Sequence, residues 1–330
     1  MESYHLSILI PVYNASTFLK RCIDSIVNQE KFNDFVELVI INDGSKDNSL
    51  DIINHYASKH DNIHVISREN QGIGPTRNDL LDNTHGKYFW FVDADDFISS
   101  KSLSIIIPLL QTNKYDMLLM SYYWGDTKNG KNIIYSGEYA NGLEMAEKEV
   151  YNNSLWTRIY RTSIIKDNQI RFQKYKMGED FDFILHVIPR LGKIKSIEEP
   201  LYNYIFNPNS AVFNSNLEHR IQVSEDSLTC LYENFIWLEN YDSETQKILR
   251  IPLNSFLQGY LFSIYAVPFS YTYKKNVMKK LIEIRALPIT PLPSDKKHRW
   301  RSLIVNNGIL RTFTLWLDVI ATKLFKSKND

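Results

Sequence analysis

Only two cysteines, Cys22 and Cys230, occur in the 330 residues. Two thiols this far apart build neither a disulfide framework nor a thiolate metal site, so a reducing compartment is expected. A bias in charge is missing too: 38 Lys+Arg balance 38 Asp+Glu, for a formal net charge of zero. Nucleic-acid binders leave a basic footprint, and the net charge carries none. The opening Met1-Glu2-Ser3-Tyr4-His5 lacks the basic segment and apolar run of a secretory leader. No stretch reaches the roughly 18–20 apolar residues that cross a bilayer. The longest candidate, Ile251 to Phe269, is interrupted by Asn254, Ser255, Gln258 and Gly259. Internal repeats and low-complexity tracts are also absent. A cytoplasmic protein is expected.

What is present is ample apolar sequence, 44% of the chain, enough for one large domain or a domain with an appendage. The first hundred residues alternate strand and helix patterns. Leu6–Val12 reads as a buried strand, then Phe18, Leu19, Cys22, Ile23, Ile26 and Val27 recur at helical spacing. Val36–Ile41, Ile63–Ile66 and Tyr88–Val92 are further buried strands, with helices around Leu50–Ala57 and Thr76–Asn83. Near-continuous apolar strands alternating with helices predict an α/β fold with a mostly parallel mixed sheet flanked by helices. Ligands of such sheets sit at the carboxyl ends of the strands. Beyond residue 115 the pattern is mixed, with strands at Met117–Tyr123, Ile133–Tyr139 and Ile194–Tyr204. The expected division is an α/β domain over 1–214 and a helical C-terminal region over 215–330. Leu287 to Ser294, rich in proline, reads as a linker before the last helix.

Four polar clusters carry the chemistry. Asp93-Ala94-Asp95 follows the fourth strand, and two carboxylates two apart on an extended segment point the same way. Mg²⁺ or Mn²⁺ held there would share its oxygen ligands with a diphosphate; the bland reading is a solvated acidic turn. Asn42-Asp43-Gly44-Ser45 ends the second strand. Its carboxylate suits an imide N–H such as that of uracil or thymine, and the alternative is an Asx turn capping a helix. Asn70-Gln71-Gly72-Ile73-Gly74-Pro75-Thr76-Arg77 fits a dinucleotide fingerprint poorly, because it follows strand three and has Arg77 at the third glycine position. It reads better as a flexible loop that delivers Arg77 to phosphate or base, the alternative being a surface ion pair with Asp79. Met177-Gly178-Glu179-Asp180 opens an apolar helix. An acidic pair there suits the helix dipole, and one member would also serve as a general base. Trp156, Arg158 and Arg161 are candidates for a donor or acceptor pocket, with a core position the alternative for Trp156. His186 has no metal-spaced partner, so a packing role is expected.

Taken together these residues resemble the family-2 glycosyltransferases, inverting enzymes with a GT-A fold. The matching pieces stand in order: Ser7-Ile-Leu-Ile-Pro-Val-Tyr-Asn14, Leu38-Val-Ile-Ile-Asn-Asp-Gly-Ser45, Asn70-Gln-Gly72, Arg77-Asn78, Phe91-Val-Asp-Ala-Asp-Asp96, Trp156-Thr-Arg-Ile-Tyr-Arg161 and Gly178-Glu-Asp180. They cover about residues 5–205. Arg158 stands where relatives often carry lysine. The resemblance implies that Pro11, Val12 and Tyr13 pack around a nucleobase read by Asp43. It implies that Arg77, Asp93 and Ala94 contact the nucleotide, that Asp93 and Asp95 meet the metal, and that Asp180 is the base. Trp156, Arg158 and Glu179 would line an acceptor or donor pocket. The expected reaction moves a hexosyl or N-acetylhexosaminyl group from a UDP-sugar, or dTDP-sugar, to a hydroxyl of a surface glycan or lipid-linked saccharide.

Rival readings are a sugar nucleotidyltransferase, a nicotinamide-dependent dehydrogenase and a non-catalytic glycan-binding protein. The first calls for a Gly-rich phosphate loop after strand one, where Pro11-Val12-Tyr13-Asn14 stands instead. The second rests only on Gly72-Ile73-Gly74. The third leaves four acidic positions at one sheet edge unexplained. Residues 296–330 interleave eight basic and two acidic residues with apolar ones. Such a segment would lie on the inner face of a membrane, or else pack on the catalytic domain or on another subunit of a homo-oligomer.

Overall fold

The computed structural model describes residues 4–125, 130–148, 150, 152–207, 216–289 and 306–309. The described residues of Met1–Met145, Asn152–Lys174 and Glu179–Phe213 form one compact unit. Those of Ala146–Tyr151, Tyr175–Gly178 and Asn214–Asp330 form a second, so short stretches before residue 214 join the helical region.

In the first unit the elements run β1 (Leu6–Val12), α1 (Ser16–Val27), α2 (Phe32–Phe35), β2 (Val36–Asp43), α3 (Ser49–Ala57), β3 (Ile63–Arg68), α4 (Ile73–Asp82), β4 (Tyr88–Phe91), β5 (Phe97–Ile98), α5 (Ser102–Gln111), β6 (Met117–Trp124), β7 (Lys131–Ile133) and β8 (Glu138–Tyr139). Then follow α6 (Gly142–Glu147), β9 (Arg158–Arg161), α7 (Thr162–Asp167), α8 (Glu179–Val187) and β10 (Ile194–Tyr204). The sheet order is β3-β2-β1-β4-β9-β6-β10-β5, with β7 on β6 and β8 on β10. The pairs β1/β2, β2/β3, β1/β4 and β6/β10 are parallel, whereas β9 runs antiparallel between β4 and β6. This is the mostly parallel mixed sheet that the sequence predicts.

Every residue of β1, β2 and β4 is buried, because helices cover both faces. Leu19, Cys22, Ile23, Ile26 and Val27 form the buried stripe of α1 and join Leu6, Ile8, Ile10 and Trp90 in one core cluster. Each such side chain contributes about 1.5–3 kcal/mol by leaving water. Two expectations need adjustment. The strand read at Ile133–Tyr139 is two short strands on different neighbours, β7 and β8. The helix read as starting at Thr76 begins at Ile73, after Gly72 turns the chain with φ 94°.

The second unit contains α9 (Leu217–Leu238), α10 (Ser243–Ala266) and α11 (Tyr271–Glu283). Their starts are capped by the side chains of Asn216, Asp242 and Ser270, which satisfy backbone N–H groups that the helices leave unpaired. Among the described residues no helix is long and apolar enough to cross a membrane. The basic segment 296–330 lies outside the described residues except at 306–309, as does most of the Pro-rich linker.

Candidate active site

The carboxyl ends of β1 and β2 open on a cleft of about 270 Å³ lined by Pro11, Val12, Tyr13, Asp43, Asn70, Gly72, Ile73 and Thr76. Asp43 is 4% exposed and organises the cleft floor. Its Oδ1 accepts from Arg68 Nη1 at 2.5 Å and from the Gln71 amide at 3.0 Å, and its Oδ2 accepts from the Gly72 amide at 2.9 Å. The Asn70 side chain closes the ring by donating to the Asp43 carbonyl at 2.9 Å. Gly44 is required beside it: φ is 74°, and a Cβ would lie 2.7 Å from the Asn70 nitrogen. Arg68, which the sequence reading passed over, pairs with both Asp43 and Asp79. The signal available was its place at the end of β3, opposite Asp43 in the parallel register.

The acidic motif after β4 departs from its expected form. Residues 93–96 make a turn rather than an extended segment, closed by the Asp96 amide donating to the Asp93 carbonyl at 3.1 Å. Asp96 points inward, 1% exposed, and accepts from Tyr202 Oη at 2.7 Å and the Ile205 amide at 2.8 Å. Burial, with repulsion from Asp93, pushes its pKa up to about 8. It braces the turn. Asp95 accepts from Asn207 Nδ2 at 2.9 Å, and its carbonyl accepts from Arg21 Nη2 at 2.9 Å. Ala94 is buried between them. Beneath the turn, the Cys22 thiol lies 3.6 Å from the Asp93 carbonyl, and burial keeps it protonated.

Arg77 brings distant carboxylates together. It sits within α4 rather than on a flexible loop, and it is 6% exposed. Its Nη1 donates to Asp180 Oδ1 at 2.5 Å and to Glu179 Oε1 at 3.0 Å, and Nη2 stands 3.9 Å from Asp93 Oδ1. The guanidinium lies over the Phe172 ring, 5.5 Å from its centroid. Asp79, the surface partner considered from sequence, pairs with Arg68 instead. Burial drives the Asp180 pKa up to about 8 against the pull of Arg77, with Glu179 and Asp93 adding repulsion. Asp93 is lifted to about 6 by burial, Arg77 again opposing and Asp95 and Glu179 adding to the rise. Gly74 serves this packing rather than a dinucleotide, since a Cβ there would lie 2.3 Å from the Gln173 carbonyl oxygen.

Of the other candidates, Trp156 and Arg161 are engaged elsewhere, whereas Arg158 acts on the cluster as a second charge that pulls the Asp180 pKa down. Trp156 is core, stacked on Tyr202 at 4.4 Å and on Tyr204 at 5.5 Å. Arg158 is 1% exposed and holds the Asn152–Thr157 segment through Asn152, Ser154 and Thr157. Arg161 pairs with Tyr88 at the start of β4, the edge opposite the cleft, and binds Asp116 and Asn113. His186 stands 3.9 Å from Asp182 on the same helix.

A mostly parallel sheet with a cleft and an acidic turn at its carboxyl edge is the GT-A architecture. Residues 7–177 match Glycosyl transferase family 2, and the chain belongs to that family. It is similar to the uncharacterized glycosyltransferase EpsJ of Bacillus subtilis, 27% identical over 215 residues and covering 62% of each chain. It is also similar to the poly(ribitol-phosphate) β-glucosyltransferase of Bacillus spizizenii, 31% identical over 207 residues, 61% of this chain and 32% of that one. The match thus spans less than two thirds of either relative. Crystal structures of Staphylococcus aureus TarS 1–349, alone and with UDP, share the fold at a TM-score of 0.72. They are 20% and 21% identical and cover 97% of this chain and 91% of theirs. The complex with UDP-GlcNAc gives 0.69 at 22% identity, over 84% of this chain and 80% of that one.

Proposed function

We propose that this protein transfers a hexosyl or N-acetylhexosaminyl group from a UDP-sugar to a hydroxyl of a glycan or lipid-linked saccharide, with inversion. The observation that carries the reading is the buried guanidinium of Arg77, which joins Asp180 and Glu179 of α8 to Asp93 of the acidic turn. Residues 86 and more positions apart are thereby gathered at one sheet edge, next to a cleft already lined by Asp43.

The base would enter between Pro11, Val12 and Tyr13, whose side chains line that cleft. A carboxylate offers about four acceptor positions. Three on Asp43 are occupied by Arg68, Gln71 and Gly72, and the remaining one on Oδ2 suits the uracil N3–H. TarS bound to UDP and to UDP-GlcNAc supports the choice of uridine. Thymine offers the same N–H.

A divalent cation fits the turn on chemical grounds. Burial and mutual repulsion hold Asp93 above its ordinary value, a crowd of negative charge that Arg77 does not neutralise. Among the described residues no three His, Cys, Asp or Glu side chains are placed to bind a metal by themselves. Asp95 and Asp93 would therefore hold Mn²⁺ or Mg²⁺ with the remaining ligands from diphosphate and water, the habit of Mg²⁺ in nucleotide sites. Bound there, the ion would offset charge on the departing diphosphate.

Asp180 is the general base of this scheme. A partly buried carboxyl with a raised pKa accepts a proton more readily than an ordinary one. Arg77 holds it in place and limits the rise. The proton of the acceptor hydroxyl passes to Asp180 as the oxygen attacks the anomeric carbon from the face opposite the diphosphate, and UDP departs.

The test is UDP release from UDP-glucose, UDP-galactose and their N-acetylated forms, with and without Mn²⁺. Metal-dependent release from at least one donor is expected. Calorimetry on Asp95→Ala should show UDP affinity that no longer responds to Mn²⁺. Release from none of the donors, or a wild-type metal response in the variant, would reject the reading.

A further inference from the structure

At the carboxyl ends of β6 and β10 large aromatic residues are partly exposed: Trp124 is 45% exposed and Phe206 56%. Tyr204 is half-buried, with Trp124 on one side and the core ring of Trp156 stacked on it. Trp124 and Tyr204 are register partners, with ring centroids 6.5 Å apart at 70°. Lys131, the partner of Trp124 on β7, places its ammonium 5.2 Å from the indole centroid.

These rings are continuous with the acidic turn. Tyr204 stacks on Trp156, which stacks on Tyr202, whose hydroxyl donates to Asp96. The Ile205 amide donates to Asp96 and the Asn207 side chain to Asp95, so Phe206 lies between two residues tied to the turn. Asp96, Asp95 and Asp93 all act on the Tyr204 phenol, which burial first raises above its ordinary pKa. The platform is thus fixed to the turn by stacked rings and hydrogen bonds.

We propose that Trp124, Tyr204 and Phe206 are the acceptor subsite, on which a pyranose ring of a saccharide acceptor stacks with its hydroxyl toward the Asp93–Asp96 turn. The proposal rests on the transfer reading above and names the acceptor's chemical class. Pyranose rings present C–H faces to aromatic rings and hydroxyls at their edges, and an aromatic body beside polar groups suits both. An acyclic polyol phosphate has no such face and would call for a row of cations. Strands β6 and β7 and residues 200–204 contain one charged residue, Lys131.

The test is saturation-transfer NMR and calorimetry on the full chain with maltotetraose, chitotetraose and a short poly(ribitol phosphate), UDP present. At least one tetrasaccharide is expected to bind. Trp124→Ala and Phe206→Ala should each weaken it by at least about threefold, the scale of one aromatic contact. Trp124→Phe should recover most of the loss, and UDP affinity should stay unchanged in all three variants. Failure of both tetrasaccharides to bind, equal binding by the alanine variants, or binding of the polyol phosphate in their place would overturn the proposal. If Trp124→Ala also loses UDP, the exposed Phe206→Ala decides. Absence of UDP binding in the wild type, with tetrasaccharide binding still lost in the variants, would instead reject the transfer reading and leave the platform standing.

Discussion

Arg77 and Asp180 face each other at 2.5 Å in a pocket where burial opposes both charges. Three carboxylates keep the guanidinium charged, while the guanidinium keeps Asp180 from rising further. A base must be deprotonated to act, so the sign follows directly. Asp180 gains its active form as pH rises through about 8. We expect kcat/KM to climb with pH toward a plateau above that value, and a profile flat from pH 6 to 9 would contradict the assignment. Replacing Arg77 by Met removes the larger of two downward pulls, Arg158 supplying the other, and should move the ascending limb to higher pH. The pH profile of the variant checks this. These couplings were only partly legible in the sequence. The acidic residues stood out as motifs, but Arg77 meets partners 102 and 103 positions away, which no local pattern reveals. Trp156 was open between pocket and core, because its neighbours Tyr202 and Tyr204 come from another strand.

Strands β1 and β4 and helix α1 follow from local patterns, since buried parallel strands are continuous apolar runs and a one-sided helix repeats every 3.6 residues. At 93–96 the local pattern leaves an extended segment and an acidic turn both open, and the structure has the turn. Its shape is set by Asp96 turning in to Tyr202 of β10 and to Ile205 just after that strand, a long-range contact. Short elements fixed by close backbone approach were similarly hidden. Gly74→Ala tests one: the added methyl must displace the Gln173 carbonyl, and a loss of about 1–3 kcal/mol is expected in urea unfolding. Asp47 tests another. It accepts from the Ser16 and Ser49 amides and the Ser49 hydroxyl, tying the loop after β1 to that after β2. Burial alone would raise its pKa, but these hydrogen bonds outweigh it and lower the value to about 2. The stability it contributes is therefore present above the ordinary carboxylate range and lost as pH falls through about 2. Asp47→Asn should cost about 0.5–2 kcal/mol at pH 7 and much less near pH 2, read from melting curves.

At the scale of the whole molecule, a GT-A unit carries the cleft, the acidic turn and α8, and a helical unit follows. The division expected at residue 214 is finer in the structure, where Tyr175–Gly178 pack with α9: the Lys176 amide donates to Asp226, and Tyr175 to Glu233. The sequence hides this because four residues are too few to carry a pattern. The basic segment 296–330 would either pack on the catalytic domain or a partner subunit or rest on an anionic membrane surface. Liposome flotation of the full chain beside one ending at Ser294 separates the two: binding by the full chain only supports membrane contact, and equal flotation rejects it. The central claim is that Asp180, brought to the acidic turn by Arg77, takes the acceptor proton. The most direct measurement is turnover of Asp180→Asn, with UDP affinity determined in parallel. The account predicts a loss of roughly a hundredfold or more in turnover, with UDP binding within about twofold of wild type. Turnover within about threefold of wild type would contradict it.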